Sequence, residues 1–156
     1  MSGEAVSQTL LVICATGGIG SAVVRRFVAT CTRVVATDVD AGWLAMLAER
    51  EPDLIVGLGS DASDVTFAEL DVEAADLLCR VDTVANTVGR AQPGALTQLP
   101  LAEWDATLDL PLRTAAIYAG AALPAWSSAP ASFGKVSTGV IRTQSPSDDR
   151  RERCQT

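Results

Sequence analysis

Residues 14–20, CATGGIG, carry three glycines between a hydrophobic run, LLVIC, and an amphipathic one, SAVVRRFVAT. A glycine-rich turn from strand into helix lets backbone approach a phosphate, and the helix N-terminus supplies unpaired N–H groups and a dipole that favours anions. Ligand-free turns of this kind also carry glycines, so the loop by itself leaves an ordinary tight turn open. Asp38 lies about 20 residues further on, where a carboxylate can accept hydrogen bonds from an adenine ribose. Its alternative role is to cap the next helix beside Asp40. Cys14 stands where a glycine would open the loop, adding a Cβ and a sulfur where glycine leaves room or a permissive backbone angle. The loop therefore reads as a cradle of reduced fit.

Other chemistries are excluded by residue type. The chain has no histidine, which removes Ser-His-Asp triads, Cys-His dyads and HExxH zinc sites together. Its four cysteines, Cys14, Cys31, Cys79 and Cys154, are scattered and include no CxxC pair. They read as reduced thiols of a cytosolic protein, not a disulfide framework or a zinc site. A catalytic thiol at position 14 has no base to activate it.

The 156 residues, 48% hydrophobic and 20% charged, suit one soluble domain with its own core. A net charge of −7 repels a phosphate backbone, so nucleic acid is not an expected partner. Lys135 is the single lysine, and a polybasic membrane contact is equally unexpected. No apolar stretch has the length of a membrane span, and the opening MSGEAVSQT does not read as a signal peptide. The expected location is the cytoplasm.

Short β-branched runs alternating with helical periodicity must position the loop and the carboxylates. Strands are predicted at residues 10–14, 33–37, 54–58 and 81–86, with a weak fifth at 135–140. In the first helix Ile19, Ala22, Val23 and Phe27 share one face, with Arg25 and Arg26 largely outside it. A second helix covers residues 41–50, and Asp64 caps a third running to about residue 78. Residues 101–126 are helical by pattern, but Pro111 predicts a kink or break there. From residue 142 onward the chain is almost devoid of apolar residues and reads as a disordered tail, leaving a domain over residues 1–141. Such alternation makes an α/β, Rossmann-like, doubly wound parallel sheet of about five strands. Ligands bind such sheets at the carboxyl ends of the strands, which collects the glycine loop, Asp38, Asp61 and Asn86 along one edge.

With these residues in place, the sequence resembles the short-chain dehydrogenase/reductase family over about residues 8–126. The family's T-G-x-x-x-G-x-G maps onto Ile13, Cys14, Gly18 and Gly20, with Thr16, Gly17 and Ile19 between them. Asp38 matches the acidic residue of NAD-preferring members. SDASD places Asp61, followed by Ala62, at the adenine-contacting aspartate, where a plain turn carboxylate is the alternative. ANTVG is similar to the N-N-A-G motif, bringing in Asn86, Thr87 and Gly89. LAEWDATLDLPLRTAAIYAGAALPAW resembles the long helices that follow, of which residues 112–125 would pack on a partner subunit. The resemblance implies a bound dinucleotide, NAD in preference to NADP, and a homo-oligomer, while an unpaired sheet edge and uncovered apolar helix surface would make the chain aggregation-prone.

The departures are as specific. Ile13 and Cys14 replace the threonine and glycine, and Pro111 stands at the family's active-site asparagine. The family serine has no clear counterpart: Ser137 is nearest, and its reading as a strand or turn residue is favoured. No Tyr-x-x-x-Lys pair is present: Tyr118, the single tyrosine, is followed four residues later by Ala122 and reads as a packing residue. No catalytic residue is therefore assigned. The chain reads as the family's cofactor-binding part, truncated before its catalytic segment by one of several routes. The implied function is an NAD(H)-binding oxidoreductase relative, inactive alone. One alternative is a non-enzymatic interaction protein that keeps the fold for assembly. The other is an adenosylmethionine-dependent methyltransferase, against which GGIG, ANTVG and LAEWDATLDL argue.

Overall fold

A computed structural model describes residues 9–30, 32–78, 81–90, 95–127 and 140–142. Strands β1 (Thr9–Ile13), β2 (Arg33–Asp38), β3 (Ile55–Gly59), β4 (Thr83–Asn86) and β5 (Val140–Arg142) form one sheet in the order β3-β2-β1-β4-β5. The helices are α1 (Gly18–Val28), α2 (Ala41–Arg50), α3 (Val65–Leu78) and α4 (Leu101–Ser127), with a short 3-10 turn at Leu96–Gln98. Four strands are parallel, with Leu11 opposite both Val35 and Val84 at the centre.

Period-2 alternation in β1 sorts its side chains between two cores. Leu11 and Ile13 pack with Val35, Val84, Val72, Tyr118 and Ala122 on the α3–α4 face. Leu10 and Val12 pack with Val24, Leu44 and Leu47 on the α1–α2 face. All five residues of β1 are buried, as a parallel strand covered on both sides must be. Gly57 lets α2 lie close to β3, since a Cβ there would stand 3.0 Å from the Leu44 side chain. Asp40 caps α2 by accepting from Trp43 N at 3.0 Å. Asp64 caps α3 as the sequence predicts, accepting from Thr66 N at 2.8 Å.

Several expectations are corrected. The buried face of α1 is Gly20, Ser21 and Val24, whereas Ile19 is 72% exposed and Ala22 is exposed. The helix meets the sheet on its smallest residues, which turns the apolar stripe about one position from where periodicity puts it. Helix α4 runs unbroken through Pro111 and Pro124, so the predicted break does not occur. Thr114, Tyr118 and Ala122, one turn apart on α4, are each 0% exposed. That burial outweighs the missing N–H donor at Pro111. β5 pairs antiparallel to β4, with Ile141 opposite Val84, and it includes Arg142, which composition had assigned to the tail. Lys135, Ser137, Cys31, Cys79, Cys154 and the rest of the tail lie outside the described residues.

Candidate functional site

The chain leaves β1 at Ile13 and turns through Cys14, whose φ is +62°. That is left-handed backbone, which glycine adopts freely and which costs an L-residue about 1–2 kcal/mol. The turn is held by Ala15 N donating to Thr37 O at 3.0 Å and Gly17 N to Cys14 O at 3.3 Å. Gly20 has no alternative: a Cβ there would lie 2.1 Å from Cys14 O, 2.8 Å from Thr87 Oγ1 and 2.9 Å from Ala15 Cα. Around Gly18, by contrast, nothing lies within 4 Å of a built Cβ, so the outer side of the loop is open.

Helix α1 starts beneath this opening. Its N-cap, Gly17, offers no side-chain hydrogen bond, and the first turn holds no acidic residue. The first amides of a helix have no acceptors within it, so an anion at this end would meet free donors and the positive end of the dipole. Ile19 projects into solvent beside them. The loop thus fits a phosphate-bearing group, despite the cysteine.

Asp38 ends β2 directly against the loop. Its Oδ2 accepts from Thr16 N at 3.0 Å and Thr16 Oγ1 at 2.7 Å, and its Oδ1 from Val39 N at 2.8 Å. Burial pushes its pKa up, but the bonds from Thr16, Asp40 and Val39 outweigh burial and hold the carboxyl below its ordinary range. A carboxylate offers about four acceptor sites, and Asp40 N at 3.4 Å from Oδ1 is the fourth donor here, so a ribose hydroxyl would displace that long bond first. Burial and the nearby negative charge of Asp38 push the Cys14 thiol up, which keeps it protonated and a weak nucleophile.

On the other side of β1, Thr87 fastens the exit of β4 to the loop. Its N–H donates to Ile13 O at 3.1 Å, and its hydroxyl lies 2.6 Å from Ile13 O and 3.1 Å from Cys14 O. Asn86 is buried at the end of β4. Its Oδ1 accepts from Val88 N at 3.1 Å, and its Nδ2 donates to Thr114 Oγ1 at 3.1 Å and faces Pro111 O at 3.5 Å. It ties the sheet edge to α4 at the turn where proline stands. Gly89 is exposed, with nothing within 4 Å of a built Cβ.

Asp61 is exposed and closes a local turn, accepting from Ser63 N at 2.9 Å and Ser63 Oγ at 2.7 Å. Those bonds lower its pKa, and Ala62 packs partly into the core. The glycine loop, Asp38 and Thr87 are thus bonded together directly, while Asp61 joins them through its neighbour, Ser60 N donating to Asp38 O at 2.9 Å. Three residues that sequence reasoning did not single out for function, Ser60, Asp71 and Thr114, are buried at this edge. Tyr118, read as packing, is indeed fully buried, but its hydroxyl donates to Asp71 Oδ2 at 2.5 Å. The helical spacing of Thr114, Tyr118 and Ala122 was the available signal for that face. Among the described residues there is no group of three or more potential metal ligands, and no helix is long and apolar enough to cross a membrane.

No curated protein matches the sequence. A short-chain dehydrogenase/reductase of the glucose/ribitol dehydrogenase type from Brucella melitensis is similar at 30% identity and a TM-score of 0.69, over 76% of this chain and 52% of that one. A short-chain dehydrogenase from Streptomyces avermitilis is similar at 29% identity and a TM-score of 0.65, over 76% and 44%. The fold is shared with a 3-ketoacyl-(acyl-carrier-protein) reductase from Brucella melitensis complexed with NADH, at 22% identity and a TM-score of 0.70, over 78% and 51%. The chain thus spans about half the length of these relatives. The short chain dehydrogenase family matches residues 8–145, across the glycine loop, Asp38, Asn86 and α4, and the chain belongs to that family.

Proposed function

We propose that this chain is an NAD(H)-binding unit of an oxidoreductase, with the carboxyl edge of its sheet as the dinucleotide site. The observation that carries the reading is the cradle at α1: an uncapped helix start, a glycine whose Cβ has no room, and a carboxylate bonded to the same loop. The amides of Gly18, Ile19 and Gly20 would meet the pyrophosphate, with Cys14 and Gly17 beneath. Asp38 would take the adenine ribose, held in place by Thr16. Asp61 and Ala62 would border the adenine, and Asn86, Thr87 and Gly89 the nicotinamide side. NAD is favoured over NADP because the carboxylate of Asp38 accepts from a 2′-hydroxyl and repels a 2′-phosphate.

When bound, the nicotinamide supplies or accepts a hydride. This chain's own residues bind and orient. Pro111 has no side-chain amide, and Tyr118 is fully buried with its pKa raised by burial and by Asp71. Neither can deliver a proton to a developing oxyanion, a contribution worth typically about 10²–10⁴-fold. We therefore expect the 156-residue chain alone to bind without turning over.

Titrating NADH against the purified chain, with nicotinamide fluorescence as the readout, tests this. Saturable binding that Gly20→Val abolishes is expected, with no NADH consumed across a panel of ketones and aldehydes. Absence of saturable binding removes the reading, and turnover that survives repurification removes its inactive half. A purely associative role is favoured by one feature, the exposed residues Leu101, Trp104, Leu108 and Leu112 along α4. A wild-type chain that binds no dinucleotide but self-associates would select that role.

A further inference from the structure

Beneath the site lies a buried polar cluster that cofactor binding does not use. Asp71, on α3, is 3% exposed, Ser60 6% and Tyr118 0%. Asp71 Oδ2 accepts from Ser60 Oγ at 2.8 Å and from Tyr118 Oη at 2.5 Å. A buried carboxylate is costly unless hydrogen-bonded, and this one is satisfied by donors from two separate elements. Ser60 is the residue on which both acidic positions hang. Its amide donates to the backbone carbonyl of Asp38, and Asp61 and Ala62 follow it in sequence.

We infer that Asp71 and Tyr118 are positioning residues for the adenosine end of the site. Through them α4 sets the loop from Ser60 to Ala62 and, by way of the Ser60 amide, the end of β2. The inference rests on the proposal that this edge takes a dinucleotide. The same face of α4 also receives Asn86 at Thr114, one turn before Tyr118. One buried helix face therefore fixes both halves of the edge: Thr114 the β4 side, Tyr118 the β3 side. Tyrosine suits the task because its ring fills the core with Leu11, Val35 and Val84 while its hydroxyl reaches the carboxylate. Tyr118 is 0% and Asp71 3% exposed, and their bonds lead to Ser60, so both act through that residue.

The test compares wild type with Tyr118→Phe, Asp71→Asn and, as a core control, Val84→Ala, by amide hydrogen exchange and by calorimetry with NAD and ADP-ribose. Tyr118→Phe keeps the ring and removes one donor. It should speed exchange of the Ser60, Ser63 and Asp64 amides roughly tenfold relative to those of β1, and weaken NAD and ADP-ribose binding by the same factor. Asp71→Asn keeps a carbonyl acceptor in place and should stay near wild type in both. Exchange that rises evenly through the sheet, as expected for Val84→Ala, would overturn the inference. So would residues 60–64 that stay as protected in Tyr118→Phe as in wild type. If wild type binds no dinucleotide while Tyr118→Phe still loosens residues 60–64 selectively, the reading of the edge fails and the positioning stands.

Discussion

Cys14 carries a side chain at a backbone angle where its neighbours require only a turn. Its φ of +62° is one that glycine adopts freely, and the thiol's weak hydrogen bond to the Asp38 carboxylate offsets only part of that strain. Cys14→Gly should therefore raise stability by about 0.5–1 kcal/mol, the relief of left-handed strain less glycine's added chain entropy. Thermal unfolding checks this, with a rise of about 2–4 °C expected for a domain of this size, together with tighter NADH binding. An unchanged melting temperature would mean that the cysteine is fully accommodated. Asp38 yields a prediction in pH. Its folded pKa lies below its unfolded value, so its bonds to Thr16 stabilise the fold fully above the unfolded pKa of about 3.9. That contribution is lost as pH falls through the lower folded value. The stability gap between wild type and Asp38→Asn in urea unfolding should thus be larger at pH 7 than at pH 3, and a gap independent of pH contradicts it. Gly20 and Asp38 were legible in the sequence because each answers a demand local to one strand-helix turn. Tyr118 and Asp71 were not, because their bond joins residues 47 apart in sequence and on two helices, and no periodicity encodes that meeting.

Among the elements, α4 shows a helix held by its neighbours against its own local preference. Pro111 removes the amide that would bond Thr107 O, yet the helix continues because Thr114, Tyr118 and Ala122 are clamped in the core. Pro111→Ala should consequently stabilise the chain by about 1–3 kcal/mol, since the Pro111 carbonyl that faces Asn86 is retained as backbone. Chemical denaturation reads this directly, and a destabilised variant would mean that the ring packs more than it disrupts. The four parallel strands and four helices were legible in the sequence to within about two residues, because short β-branched runs alternate with 3.6-residue periodicity. The rotation of α1 was not, since small residues at its start set how closely it approaches the sheet. Neither was the direction of β5, a three-residue strand too short to carry a pattern.

At the level of the whole molecule, α4 presents Leu101 at 73% exposure, Leu112 at 60% and Leu123 at 50%. Unpaired apolar surface of this extent favours association. Light scattering across a concentration series should show dimers or larger species, and Leu108→Glu with Leu112→Glu should shift them toward monomer. A wild type that stays monomeric at high concentration contradicts this. Fold and family were legible because several motifs recur in order along one sheet edge. The proposed preference for NAD rests on a single carboxylate, Asp38, and so does the most direct test. Calorimetric titration of NAD and NADP into the wild-type chain should show saturable NAD binding at least about tenfold tighter than NADP, a difference of roughly 1.4 kcal/mol, and Asp38→Ala should narrow that gap. Equal affinities for the two dinucleotides, or no binding of either, would contradict the account.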